Sequence, residues 1–101
     1  MDTATKTTAT HEEEKMSRIE IKRWDTGAVI FAHECENNTV KTTLEVGVKA
    51  SVCFNYAKLN YAELNDAELN GAELNYAELN GAKLNDAKLN DAELNYASVS
   101  G

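Results

Sequence analysis

The sequence is short of almost everything that catalysis or membrane insertion requires. No apolar stretch approaches the roughly 20 residues of a bilayer-spanning helix, and the first residues are polar and Thr-rich rather than basic and then apolar. A soluble, cytoplasmic protein is the expectation. Glycine is scarce, with five in 101 residues, and no glycine-rich phosphate loop occurs. No serine stands beside a histidine and an acid in a segment expected to be ordered, so a serine-type nucleophile has no motif behind it. There are two cysteines, Cys35 and Cys53. Without a secretory signal they read as reduced thiols rather than as a disulfide. His33 and Cys35 lie two apart and share one face of a strand, but two ligands are too few for a structural zinc site. No metal, no cofactor and no catalytic residue is expected, and the chain reads as non-enzymatic.

Positive charge is also in deficit. Ten Lys and Arg stand against 17 Asp and Glu, for a formal net charge of -7. An acidic surface disfavours direct contact with nucleic acid or an anionic membrane and favours a protein partner with a basic surface. The length suits one domain with a core of modest size.

Three parts follow one another along the chain. Residues 1–16 combine Thr-rich sequence with His11 and the run Glu12, Glu13, Glu14, offer almost nothing to bury, and are expected to form a disordered tail. Residues 17–51 read as a β-hairpin and a helix. Ile19 and Ile21 alternate with Arg18, Glu20 and Lys22, the period of a half-buried strand closed by Trp24. Asp25-Thr26-Gly27 is turn chemistry, with Gly27 free to take positive φ, and Ala28 to Ala32 form a second β-rich run. Asn37, Asn38 and Thr39 offer helix N-caps, and Val40, Leu44 and Val48 recur every four residues, which predicts a helix over 40–49 whose last turn Gly47 weakens.

Residues 52–101 repeat every five: VCFNY, AKLNY, AELND, AELNG, AELNY, AELNG, AKLND, AKLND, AELNY, ASVSG. The period excludes the common elements. On an α-helix five residues advance about 500°, so successive leucines step by about 140° and scatter over every face. On a straight strand an odd period sends them to alternate faces. A chain that bends after every fifth residue buries Leu and the Ala two positions earlier together and turns the other three outward, which is the wall of a solenoid. A disordered low-complexity tract is the competing explanation, but such tracts lack a regular supply of apolar core residues. Ala57, Leu59, Ala62, Leu64 and their equivalents are therefore expected inside, with Phe54 filling the wider first layer.

These ten tandem copies resemble the pentapeptide-repeat family, whose consensus is Ala, then Asp or Asn, then Leu, then two variable positions. The resemblance implies an all-β fold, a right-handed quadrilateral parallel β-helix with four repeats, or twenty residues, per coil. About two and a half coils result, a rod about 12 Å tall at the usual strand spacing. Here the position before Leu is mostly Glu or Lys rather than Asp or Asn, a change that an outward side chain tolerates. The stretch from Arg23 to Phe31 is similar to the leader of some pentapeptide-repeat proteins of bacteria and their phages. That implies a cap over the first coil, with Trp24, Phe31, Leu44 and Val48 as its covering residues.

A twenty-residue coil makes residues twenty apart neighbours. Lys58 then stacks on Glu78, Glu63 on Lys83 and Glu68 on Lys88, while Glu73 and Glu93 place two carboxylates together beneath Cys53. Asp66 stacks on Asp86, and Tyr61 has Gly81 and Gly101 beneath it. Tyr56, Tyr76 and Tyr96 form one column, either as structural ring packing or as a strip that a partner recognises. Asn at the fourth position, from Asn55 to Asn95, reads as a hydrogen-bonded ladder at the bends. The Glu and Asp of the repeats read as solvated faces rather than a tuned catalytic pair.

The function expected from this pattern is a non-catalytic scaffold for protein–protein interaction. The alternative, drawn from the family resemblance, is an acidic mimic of duplex DNA that occupies a type II topoisomerase such as gyrase. Residues 52–101 carry three Lys against five Glu and three Asp, which suits the charge of a mimic. A 12 Å rod is short for one. The chain stops at Gly101 with no segment to cover Leu84, Leu89, Leu94 and Val99, so a homodimer through this last coil is also expected.

Overall fold

The computed structural model describes residues 16–100, and the tail expected over residues 1–15 lies outside them. Met16, grouped with that tail on sequence, is instead the first residue of a strand. The hairpin pairs β1 (Met16–Lys22) with β2 (Val29–Glu36) in antiparallel register, with Ile19 opposite His33 and Ile21 opposite Phe31. A bulge between Ile21 and Lys22 ends the regular ladder, and Gly27 supplies the positive φ of the turn at 80°. The alternation does its expected work at Ile21, which is 2% exposed, while Lys22 faces solvent.

The helix α1 (Val40–Lys49) starts where its cap places it. Thr39 has extended backbone and its hydroxyl accepts the Thr42 N–H at 3.1 Å. Asn38, one residue earlier, ties the hairpin to the helix. Its Nδ2 donates to His33 O at 2.8 Å and Ser17 O at 3.2 Å, while its Oδ1 accepts the Thr39 N–H and the Thr43 hydroxyl. At the other end Ser51 takes φ 63°, and Val52 N–H reaches back to Gly47 O at 2.9 Å, a Schellman stop made without glycine at the left-handed position.

Gly47 is more than a weak helix former. A Cβ there would stand 2.3 Å from Phe54 Cζ and 3.1 Å from Phe31 Cδ2, so the absent side chain is what lets α1 lie on the first layer of the repeats. Phe54 itself is fully buried and meets Phe31 edge-on, with centroids 6.1 Å apart.

Beyond α1 the chain forms neither long strands nor helices but a coil of single parallel bridges between residues twenty apart: Lys58 with Glu78, Glu63 with Lys83, Glu68 with Lys88, Glu73 with Glu93, and Glu78 with Ser98. Each bridge is closed by two bonds of one pattern, as in Leu59 N–H to Glu78 O at 2.8 Å and Glu78 N–H to Ala57 O at 2.9 Å. Ala57, Leu64, Ala67, Leu69, Ala72, Leu74, Ala77 and Leu79 are 0–2% exposed and form a continuous core with Leu59, Phe54 and Leu44. The fold is therefore of β-helix type, with residues twenty apart paired in successive turns.

The bends fall at the end of each five-residue repeat. Positive φ occurs at the fifth residue of the repeat, at Tyr56, Tyr61, Asp66, Gly71, Tyr76, Gly81, Asp86, Asp91 and Tyr96, and not at Asn. Asn serves the bend from next door. Oδ1 of Asn55, Asn60, Asn65, Asn70 and Asn75 accepts the backbone N–H of the Asn twenty residues later at 2.8–3.0 Å. The ladder is thus side chain to backbone, and it supplies an acceptor to an N–H that the bend turns away from the bridges.

Candidate functional site

The column at the first bend is the most distinctive surface of the molecule. Tyr56 and Tyr76 stack with centroids 5.0 Å apart and planes 6° apart, and Tyr76 and Tyr96 stack at 5.2 Å and 13°. Their spacing follows from the twenty-residue pairing, because one strand spacing separates stacked residues. The hairpin closes the upper end. Arg23 lies with its guanidinium carbon 4.4 Å from the Tyr56 ring centroid, Trp24 packs at a tilt 6.2 Å from Tyr56, and Trp24 Nε1 donates to Tyr76 O at 2.7 Å. Trp24 therefore caps the tyrosine column and remains 43% exposed, rather than covering the leucine layer as expected from sequence. Leu44 is fully buried, and Phe31 and Val48 pack half-buried on the core.

Electrostatics reinforce the placement of Arg23. Asp25 accepts from Arg23 Nε at 2.9 Å and Nη2 at 2.7 Å, and this bidentate pair holds the Asp25 carboxyl below its ordinary pKa and raises that of Arg23. The guanidinium is fixed in plane by Asp25 and presented to the ring by the turn.

On the side of the rod that leads into the same bend, Cys53, Glu73 and Glu93 stack. The largest single influence on the Cys53 thiol, a hydrogen bond from the Asn55 backbone, lowers its pKa. Desolvation and the Glu73 and Glu93 carboxylates together outweigh it, so the thiol lies above its ordinary value. A thiol held protonated in this way is a poor nucleophile and a poor metal ligand. Both Cys35 and Cys53 are free. Among the described residues no three His, Cys, Asp or Glu side chains come together as a metal site, and no helix is long and apolar enough to cross a membrane.

The stacked pairs of opposite charge keep the expected register but do not form ion pairs. Among the described residues the contacts within 4 Å are Arg18–Glu20, Lys22–Glu20 and Arg23–Asp25, all in the hairpin and its turn. Glu78 instead accepts from Asn60 Nδ2 at 2.9 Å, so an amide of the ladder takes the place of Lys58 on that carboxylate, and Glu93, which stacks on Glu73, accepts from Asn75 Nδ2 at 3.0 Å.

The other group of candidate residues lies in the last coil. Leu84, Leu89 and Leu94 are half-buried where Leu64, Leu69 and Leu74, one turn earlier, are 0–1% exposed, and Val99 is 59% exposed. The structure thus gathers Tyr56, Tyr76 and Tyr96 into one strip and the four apolar residues onto one open layer.

The family model for pentapeptide repeats matches residues 53–91 in eight copies. Residues 53–91 are pentapeptide repeats. The repeats nearest the carboxyl end fall outside that match, and ASVSG departs most from the pattern. They nevertheless continue the pentapeptide-repeat coil, since Leu79 N–H donates to Ser98 O at 2.7 Å and Ser98 N–H to Ala77 O at 2.9 Å. No curated protein and no solved structure matches the chain.

Proposed function

We propose that this protein is a non-catalytic scaffold for protein–protein contact, a right-handed quadrilateral β-helix behind a hairpin-and-helix cap, with the Tyr56–Tyr76–Tyr96 strip as its contact surface. The observation that carries this reading is that three tyrosines in one column occupy left-handed backbone, at φ 71°, 64° and 60°, where the other bends, Tyr61 apart, use Asp or Gly. Such a conformation costs a residue with a Cβ about 1–2 kcal/mol. Ring stacking offsets this for Tyr76, which has a ring on each side. Tyr96 has one stacked neighbour among the described residues and is 80% exposed, so packing supplies less of a reason for it. Large amphipathic rings on a rigid support are the usual anchors of protein interfaces.

A partner with a basic surface suits the strip, because the stacked carboxylates of Glu73 and Glu93 lie on the segment leading into it. The contact between Arg23 and Tyr56 is the same chemistry within one chain. Capture from host extract with the wild-type protein and with a Tyr76→Asn/Tyr96→Asn variant tests the reading. Asn tolerates positive φ, so the rod stays intact. A basic protein retained by the first and lost by the second is the expected result, and identical captures contradict it. The half-buried leucines of the last coil support a second copy of the chain as a further partner there. Light scattering on the intact protein should give a dimer that Leu94→Lys shifts toward monomer.

The acidic balance favours one other reading, mimicry of duplex DNA toward a type II topoisomerase. The charge pattern weighs against it, since Lys58 stacks on Glu78, Glu63 on Lys83 and Glu68 on Lys88, so opposite charges alternate on three sides and like negative charge stacks only on the Glu73–Glu93 side and at the Asp66–Asp86 bend. A supercoiling assay with purified gyrase separates the two readings, and an unchanged product pattern removes mimicry.

A further inference from the structure

The first turn of the coil has an upper edge with no preceding turn to pair with it, and the cap closes that edge only in part. Over Tyr56-Ala57-Lys58 it lays the segment Lys22-Arg23-Trp24 antiparallel. Lys58 N–H donates to Lys22 O at 2.8 Å, Trp24 N–H donates to Tyr56 O at 2.9 Å, and Arg23 bridges Ala57. Two segments further on, the Glu45 carboxylate accepts Glu68 N–H at 2.8 Å. Between them lies Tyr61-Ala62-Glu63. Among the described residues no acceptor reaches Glu63 N–H, and a cleft of about 460 Å³ separates this segment from the start of α1 at Thr39, Val40 and Lys41. The next segment, at Glu73, is already bonded from above, where Phe54 N–H donates to Glu73 O at 2.9 Å, and the cleft beside it is only about 110 Å³.

Tyr61-Ala62-Glu63 repeats the surface that Lys22-Arg23-Trp24 covers. Tyr61 takes φ 63° as Tyr56 takes 71°, and beneath its ring lies Gly81, in the place that Tyr76 holds beneath Tyr56. A Cβ on Gly81 would stand 2.6 Å from the Tyr61 ring, so one ring face rests on that glycine. The other is available where, at Tyr56, Arg23 sits. One difference sharpens the match: Glu63 replaces Lys58, and it is the one carboxylate lining the cleft.

We infer that this cleft takes an extended, arginine-centred peptide of a partner protein, added antiparallel to the open edge of Tyr61-Ala62-Glu63. The peptide carbonyl before the arginine accepts Glu63 N–H, the guanidinium covers the Tyr61 ring and pairs with the Glu63 carboxylate, and Val40 and Ala62 form the apolar floor. The inference rests on the scaffold reading above but on a different surface from the tyrosine strip.

The probe is an acetylated, amidated pentapeptide of the sequence Ile21–Asp25, titrated into the full-length protein labelled with nitrogen-15. Saturable amide shifts at Tyr61, Glu63 and Asn65 are expected, with Glu63 N–H moving downfield. Citrulline in place of the arginine should weaken binding about threefold, the scale of an exposed cation–π contact. Tyr61→Asn and Glu63→Lys, both exposed positions, should each weaken it as well. The Tyr76→Asn/Tyr96→Asn variant should bind the peptide unchanged. Absence of a saturable shift at Glu63, or equal affinity for the citrulline peptide, overturns the inference and leaves the strip untouched. Loss of binding in the Tyr76→Asn/Tyr96→Asn variant alone would move the peptide to the strip and overturn the cleft.

Discussion

The Tyr56 ring stacks on Tyr76, twenty residues later, whereas Tyr61 rests on Gly81 at the equivalent position. Both bends carry the same backbone cost, but only one recovers it by stacking. Tyr76→Asn removes two ring contacts, together about 1–3 kcal/mol, and releases about 1 kcal/mol of backbone strain. A net loss of about 1 kcal/mol should appear as a lower thermal midpoint. Tyr61→Asn releases the strain and loses no ring partner, so its midpoint should equal or exceed that of wild type.

Gly47→Ala sets two effects against each other. Alanine is the better helix former by about 1 kcal/mol. The added Cβ, however, would stand 2.3 Å from Phe54 Cζ, and Phe54 is fully buried. Overpacking of this kind costs about 1–3 kcal/mol, so a net loss of stability is expected in chemical denaturation. Phe54→Leu in the same chain should recover part of it, because Leu is the residue at this position in the next eight repeats.

Exposure should grade the effect of a buried carboxylate along the rod. Leu74 is 1% exposed, and Leu74→Asp places an unpartnered charge among leucines at a cost of several kcal/mol, enough to unfold a domain of ordinary stability. Val99 is 59% exposed, and Val99→Asp should leave circular dichroism and thermal midpoint close to wild type.

The Cys53 thiol offers a readout of the acidic side of the rod. Because its raised pKa owes part of its shift to the Glu73 carboxylate, Glu73→Gln should lower it and increase the thiolate fraction at pH 8. Alkylation of Cys53 by iodoacetamide should then run faster than in the wild-type protein, with Cys35 as the internal reference.

The inward residues were legible because only a bend every five residues brings Ala and Leu to one side, and α1 was legible from Thr39 and the spacing of Val40, Leu44 and Val48. Which residue of the bend takes left-handed backbone was obscured by tyrosine. Gly and Asp at the fifth position point to left-handed backbone, but a bulky ring belongs there only when something compensates it, and the compensation comes from a residue twenty away. The strip was legible as a column from the twenty-residue arithmetic alone. Its cap was not, because the Trp24 Nε1 bond to Tyr76 O spans 52 residues and no local pattern records it. Gly47 reads as a weak helix position for the same reason: its neighbour Phe54 lies across a turn that local sequence does not show.

The scaffold reading is tested most directly by photo-crosslinking in the host, with p-benzoylphenylalanine placed at position 96 on the tyrosine strip and, as control, at position 86 on a different bend column. The account predicts a discrete crosslinked protein of basic charge from position 96 and none from position 86. Equal crosslinking from both positions, or none from position 96 while the protein remains folded, would contradict it.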